Sequence, residues 1–184
     1  MRKLKLQVQM TIDGFIAGPN GEMDFLERNW DDELKKHVGA ITAPVDCIVL
    51  GRKLAQGFIP YWASHPDEEG ADKFNHTNKV VFTQTLSKSE WERTVLAKGN
   101  LVDEITRLKK QAGQDIIAYG GATFVSSLVK HRLIDEFHLF INPTAIGNGM
   151  SIFKELDRTQ NLKLVKCTSF DCGIVVLHYE PKRL

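Results

Sequence analysis

The chain has 184 residues, 42% hydrophobic and 26% charged, enough for one sizeable core in a single globular domain spanning residues 1–184. Its formal net charge of +1 excludes a general electrostatic attraction to nucleic acid or to a membrane surface. Cys47, Cys167 and Cys172 are odd in number and lack CxxC spacing, which argues against a disulfide framework or a zinc site and for a reducing compartment.

The N-terminal MRKLKLQVQM alternates and lacks the apolar core of a signal peptide. No apolar run approaches the ~20 residues of a membrane span. A cytoplasmic protein is expected. In Leu4–Ile12, apolar residues alternate with Lys3, Lys5, Gln7, Gln9 and Thr11, a period of two that predicts a strand with one buried face. DGFIAGPNGEMDF then holds three glycines and a proline and reads as a mobile or ligand-approaching loop. Asp31–Ala43 reads as a helix, with acidic residues in its first turn, Leu34, Val38 and Ile41 on one face, and Pro44 as its stop. Cys47–Leu50 is a continuous apolar run, expected to be a strand buried on both faces and ending in Gly51-Arg52-Lys53.

Residues 54–78 carry little pattern beyond the chance of one short helix in DEEGADKFNHTN. Val80–Phe82 is a short strand ending in Thr83-Gln84-Thr85, and Ser87–Glu90 fits a capping box for a brief turn. Thr94–Ala97 reads as a further strand. Asn100 is placed to cap a helix with Leu101, Ile105, Leu108 and Ala112 on its apolar face and Gly113 as its stop. Ile116–Tyr119, Gly120-Gly121 and the helical spacing of Phe124, Val125, Leu128 and Val129 then read strand, two glycines, helix. That order points free helix N–H groups at a strand end, where an anion is accommodated and no Cβ obstructs its approach. Glu136–Ile141 is a strand, Pro143–Gly149 a loop, and Leu162–Phe170 with Ile174–Tyr179 a hairpin. Alternating strands and helices followed by a hairpin predict an α/β fold, a mixed, mostly parallel sheet flanked by helices.

Three strand ends thus carry related features: Gly51-Arg52-Lys53, Thr83-Gln84-Thr85 and Gly120-Gly121. In a parallel sheet they share one edge, where open α/β sheets bind ligands. Two cations, two hydroxyls and a helix start suit a ligand with several phosphates.

With these motifs in order, the sequence resembles the dihydrofolate reductase-like superfamily, and within it the C-terminal reductase domain of bacterial bifunctional riboflavin-biosynthesis proteins. The resemblance runs through Thr11-Ile12-Asp13-Gly14-Phe15-Ile16-Ala17-Gly18, Val49-Leu50-Gly51-Arg52-Lys53, Ala118-Tyr119-Gly120-Gly121 and Ala145-Ile146-Gly147-Asn148-Gly149 with Phe153 behind it. It implies NADPH as cofactor. Gly51, Arg52 and Lys53 would meet phosphates on the adenosine side, and Thr83 and Gln84 would sit near the adenosine ribose. Gly120, Gly121, Ala122 and Thr123 would cradle the pyrophosphate; Ile16, Ala17 and Ile146 would flank the nicotinamide. Leu54 stands where the family often has a threonine, so one phosphate hydroxyl is missing.

On the substrate side the resemblance directs attention to the start of the first helix, Asp31, Asp32 and Glu33, and Asp24 and Trp30 are further candidates. Between Lys53 and Lys79 there is no arginine and only Lys73, which argues against folate, whose glutamate tail the family meets with an arginine there. The six histidines show no HxH, HExxH or HxE…PCxxC pattern, so no metal site and no zinc deaminase half is expected. The reading is an NADPH-dependent reductase acting on a small organic molecule, similar to 5-amino-6-(5-phosphoribosylamino)uracil reductases; the alternative is a nucleotide-binding or sensor protein of the same fold without turnover. The resemblance also implies a homodimer.

Overall fold

A computed structural model describes residues 1–182. Eight strands form one sheet in the order β4-β3-β2-β5-β1-β6-β8-β7. The first six in chain order are β1 (Leu4–Thr11), β2 (Val45–Gly51), β3 (Asn78–Phe82), β4 (Thr94–Ala97), β5 (Asp115–Ala118) and β6 (Glu136–Asn142). They pair in parallel throughout. The hairpin β7 (Leu162–Ser169) and β8 (Val175–Pro181) adds two antiparallel pairings beside β6. The mixed, mostly parallel α/β sheet with a C-terminal hairpin is as the sequence pattern predicts.

Helices cover both faces. On one face α4 (Leu101–Lys110) and α5 (Ala122–Lys130) place Ile105, Leu108, Val125, Leu128 and Val129 against Leu4, Leu6, Val8 and Met10 of β1. On the other, α1 (Asp32–Thr42), α2 (Arg52–Ser64) and α3 (Ala71–His76) pack Leu34, Ile41, Ala55, Ile59 and Phe74 on Ile48, Leu50, Ile117 and Phe140.

The structure departs from the sequence pattern in several places. β1 is buried on both faces, because it lies between β5 and β6 near the centre of the sheet; Lys5 and Gln7 are covered and Ile12 lies outside the strand, exposed. Residues 54–78 hold two helices where one short helix was expected. α2 runs through Gly57 and Pro60, residues that mask a helical pattern, and is held by burial of Ala55 and Ile59. Ser87–Glu90 forms bends and no helical turn; Ser89 instead bonds the N–H of Trp91 at 3.2 Å. α4 stops at Lys110, one turn short of Gly113, and Ala112 lies beyond it.

Candidate cofactor and substrate site

Parallel pairing brings the C-terminal ends of β3, β2, β5, β1 and β6 to one edge of the sheet. Two helices start there, α2 directly from β2 and α5 after the short connection Tyr119-Gly120-Gly121. Gly51 is the last residue of β2 and the N-cap of α2, and Gly121 is the N-cap of α5. Neither start has a side-chain cap or an acidic residue in its first turn. By contrast, Asp31 caps α1 and Asn100 caps α4. The first-turn N–H groups of α2 and α5 therefore remain open to an anionic ligand. Arg52 and Lys53 occupy the first turn of α2, where cations oppose the helix dipole. Among the described residues neither forms an ion pair. An anion between the two helix starts would offset that repulsion.

The two starts abut. A Cβ on Gly51 would lie 2.8 Å from Phe124 Cβ, so only glycine lets β2 end this close to α5. Gly120 and Gly121 have φ of 142° and 81°, conformations that favour glycine. Leu54 reaches both, 3.9 Å and 3.6 Å from where their Cβ atoms would be, filling with an isobutyl group the place expected for a hydroxyl. Ala122 and the exposed Thr123 form the first turn of α5. At the end of β3 the buried Thr83 accepts the N–H groups of Thr85 and Leu86 at 3.2 and 3.1 Å, shaping the turn beside β2. Gln84 donates to the Lys98 carbonyl at 3.1 Å.

At the β1 and β6 ends, the loops expected to flank the nicotinamide are fastened together. Ile12 N–H donates to Thr144 O, Ile16 N–H to Met150 O, and Met150 N–H to Ala17 O, at 2.8–2.9 Å. The Asp13 carboxylate accepts from the N–H groups of Ile146 and Gly147. The Thr11 hydroxyl and then the Gly147 N–H hold its pKa below the usual carboxylate range. Ile16 and Ala17 are buried within this seam, while Ile146 lines a cleft of about 260 Å³ with Gly18, Glu22, Asp24 and Phe25.

Of the five residues expected on the substrate side, only Asp24 lines this cleft. Asp31 is committed to capping: its carboxylate accepts from Leu34 N–H at 2.8 Å and Cys172 N–H at 3.2 Å, tying α1 to the hairpin turn. The Leu34 bond is the chief cause of its lowered pKa. Asp32 points into solvent, 3.7 Å from Lys35. Trp30 stacks on Phe140 at 6.4 Å and donates its indole N–H to the Glu27 carbonyl.

Three residues at this edge escaped the sequence reading. Asn142, fully buried at the end of β6, donates to Gln9 Oε1 at 2.9 Å and accepts the Glu27 N–H at 2.9 Å, so it fixes the chain entering α1. Gln9 keeps its amide N–H₂ available on the α1 face. Tyr119, between β5 and Gly120, packs on Phe58 and Phe74, and burial raises its phenol pKa, so it stays a donor at neutral pH. Only the polar residue within an apolar strand end marks such positions in a sequence.

The sequence profile of the RibD C-terminal domain matches residues 2–176. The chain is 32% identical over 182 residues to the uncharacterized protein YyaP of Bacillus subtilis, covering 97% of this chain and 94% of YyaP. Among solved structures, a putative riboflavin biosynthesis protein from Shewanella sp. PV-4 superposes with a TM-score of 0.77 at 22% identity, over 100% of both chains. Dihydrofolate reductase from Enterococcus faecalis, solved with NADP(H) and RAB-propyl, superposes with a TM-score of 0.64 at 15% identity, over 98% of this chain and 97% of that one. The fold is dihydrofolate reductase-like.

Proposed function

Because the chain belongs to the RibD C-terminal domain family, we propose that it is an NADPH-dependent reductase that passes a hydride to a small organic molecule. The observation that carries this reading is the pair of uncapped, abutting helix starts, α2 and α5, with Arg52 and Lys53 beside them. Gly120, Gly121, Ala122 and Thr123 receive the pyrophosphate on open N–H groups. Arg52, with Lys53, meets the 2′-phosphate, its planar fork suited to a dianion. Gly51 keeps the floor of the groove flat, and the Thr83–Gln84 turn borders the adenosine ribose. Ile16, Ala17 and Ile146 enclose the nicotinamide end, where the fastened loops exclude water.

NADPH supplies the hydride when bound; the protein orients the acceptor and keeps the site dry. On the α1 face, Gln9 and Tyr119 offer hydrogen bonds to a heterocycle, and Asp24 faces the cleft at the loop seam. A ribosylaminopyrimidine of the riboflavin type is the substrate class that the family points to. The protein works as a homodimer; the outer strand β7, with Leu164 and Val165 exposed, supports this.

Calorimetric titration of NADPH and NADH, followed by NADPH oxidation assays on pyrimidine, carbonyl and imine acceptors, tests the reading. Tight NADPH binding with turnover is expected. Binding without turnover of any acceptor would favour the sensor alternative, and no binding of either cofactor would remove the reductase reading.

A further inference from the structure

The sheet face beneath α1 carries a buried polar patch unrelated to the cofactor edge. Glu136 opens β6, whereas Asn142 at the cofactor edge closes it, about 20 Å away at the rise of a strand. Glu136 and His138 lie two apart on β6 and share a face; His178 is the cross-strand partner of His138 on β8. Gln7 is in register with His138 from β1, and His37 of α1 packs edge-on to Phe140. Within this patch Gln7 Oε1, His37 Nε2, His138 Nδ1 and His178 Nε2 have no hydrogen-bond partner. They are four of the seven such buried side-chain atoms among the described residues. Native proteins leave few buried polar atoms unpaired, and a cluster of them calls for a bound water or ion.

The geometry points to a divalent transition-metal site of the zinc class, ligated by Glu136, His138 and His178. Their donor atoms lie within 4.8 Å of one another. Glu136 Oε2 stands 3.3 Å from His138 Nε2 and 3.9 Å from His178 Nε2. Ligands held about 2.0–2.1 Å from a tetrahedral ion are themselves roughly 3.3 Å apart. The Glu136–His138 pair already has that spacing, and the other two pairs, all within 4.8 Å, must close onto the ion. The two imidazoles are stacked, 4.3 Å between centroids and 21° from parallel, and each must turn about its ring axis to aim a lone pair at the ion. His138 Nε2 is hydrogen-bonded to Glu136 Oε2, a contact the ion would replace, while His138 Nδ1 and His178 Nε2 have no partner. Gln7 Oε1 is available to the ion or to a water in its fourth position. Two imidazoles and one carboxylate select zinc, cobalt or nickel over calcium and magnesium.

Lys3 donates to Glu136 Oε1 at 2.5 Å and leaves Oε2 for the ion. Its charge weakens the site by repulsion, and its half-exposed side chain is free to swing outward. Glu136 and His138 lie on β6 and His178 on β8, 40 residues after His138, a spacing that matches no local metal motif. This inference is independent of the reductase reading.

The test is titration of untagged, chelator-treated full-length protein with Co²⁺, followed by Zn²⁺ competition. One Co²⁺ per chain with visible d–d absorption is expected, displaced by Zn²⁺ and raising the melting temperature. His178→Gln, at the most exposed of the three positions, should weaken binding at least tenfold with unchanged circular dichroism, and His138→Gln likewise. Lys3→Met should tighten it several-fold. Absence of saturable Co²⁺ binding in the wild type would overturn the proposal, leaving water as what satisfies the patch. Binding that survives in both histidine variants would also overturn it, by placing the ion elsewhere.

Discussion

The Asp13 carboxylate accepts the Gly147 N–H at 2.7 Å, joining two loops 134 residues apart in sequence. The bond closes the seam that continues through Ile16, Ala17 and Met150. Asp13→Ala should speed hydrogen exchange at the Ile146 and Gly147 amides while core strand amides keep their protection. In the reductase reading, it should raise the KM for the acceptor more than it lowers NADPH affinity. Unchanged exchange at both amides would show that the backbone bonds alone hold the seam. Because Asp13 has a lowered pKa, the tie persists above the ordinary carboxylate range and is lost only as pH falls through the lower value.

Arg52→Ala should weaken NADPH binding by ~2–3 kcal/mol, roughly 30- to 150-fold, the scale of a charged hydrogen-bonded contact. NADH has no phosphate there and should bind the variant as it binds the wild type. Equal loss of both cofactors in calorimetry would mean that Arg52 does not read the 2′-phosphate.

Gly121→Val should weaken both cofactors together, since a side chain would stand in the path of the pyrophosphate. It should also lower stability by about 1–2 kcal/mol or more, because φ of 81° is unfavourable for a β-branched residue. Chemical denaturation separates the two effects: a stable variant with cofactor binding intact would contradict both.

Dihydrofolate should be a poor substrate. Between Lys53 and Lys79 the only cation is Lys73, and its ammonium is engaged by the Val45 carbonyl at 2.7 Å. Steady-state turnover of dihydrofolate at kcat/KM in the ~10⁴–10⁸ M⁻¹s⁻¹ span of ordinary enzymes would refute this.

Lys79 is buried against the Phe74 ring, with its ammonium donating to Thr77 O at 2.8 Å and Asn75 O at 3.2 Å. Burial pulls its pKa down to about 8 from the ordinary lysine value of 10.5. The unfolded chain then holds this proton more strongly than the folded one. The lysine is therefore destabilising below about pH 8, and that cost is relieved as pH rises toward 10.5. The stability difference between wild type and Lys79→Met should thus shift in favour of the wild type across this window. Denaturation midpoints at several pH values check it; a flat difference would mean that the two carbonyls keep the ammonium charged.

The sheet was legible because β2, β3 and β5 carry short apolar runs and β1 alternates with a period of two. Asn100 announced α4 by its capping chemistry and caps it as expected; α1 was visible from its acidic first turn and apolar face, with Asp31, read as its first residue, turning out to be its cap. α2 was hidden because Gly57 and Pro60 disguise a segment that tertiary burial of Ala55 and Ile59 makes helical. For the site, Gly51 and Gly120-Gly121 were visible as glycines at strand ends. What a one-dimensional pattern does not convey is that Gly51 touches Phe124, or that Asp31 is consumed as a cap. The polar face of β1 was read as solvent-exposed because alternation looks the same whether the polar side meets water or, as here for Lys5 and Gln7, a helix.

The junction at which Gly51 serves as both strand end and helix cap leaves no slack in the chain. A single residue inserted between Gly51 and Arg52 would turn the rest of α2 by roughly 100° and shift it by about 1.5 Å. Arg52 would then point away from the sheet edge, and Ala55 and Ile59 would leave the core. The exposed segment 65–70, between α2 and α3, has no such constraint. Length variation among relatives should therefore gather at 65–70 and be absent at 51–52, and an engineered insertion should be tolerated at the first place and lethal to the fold at the second.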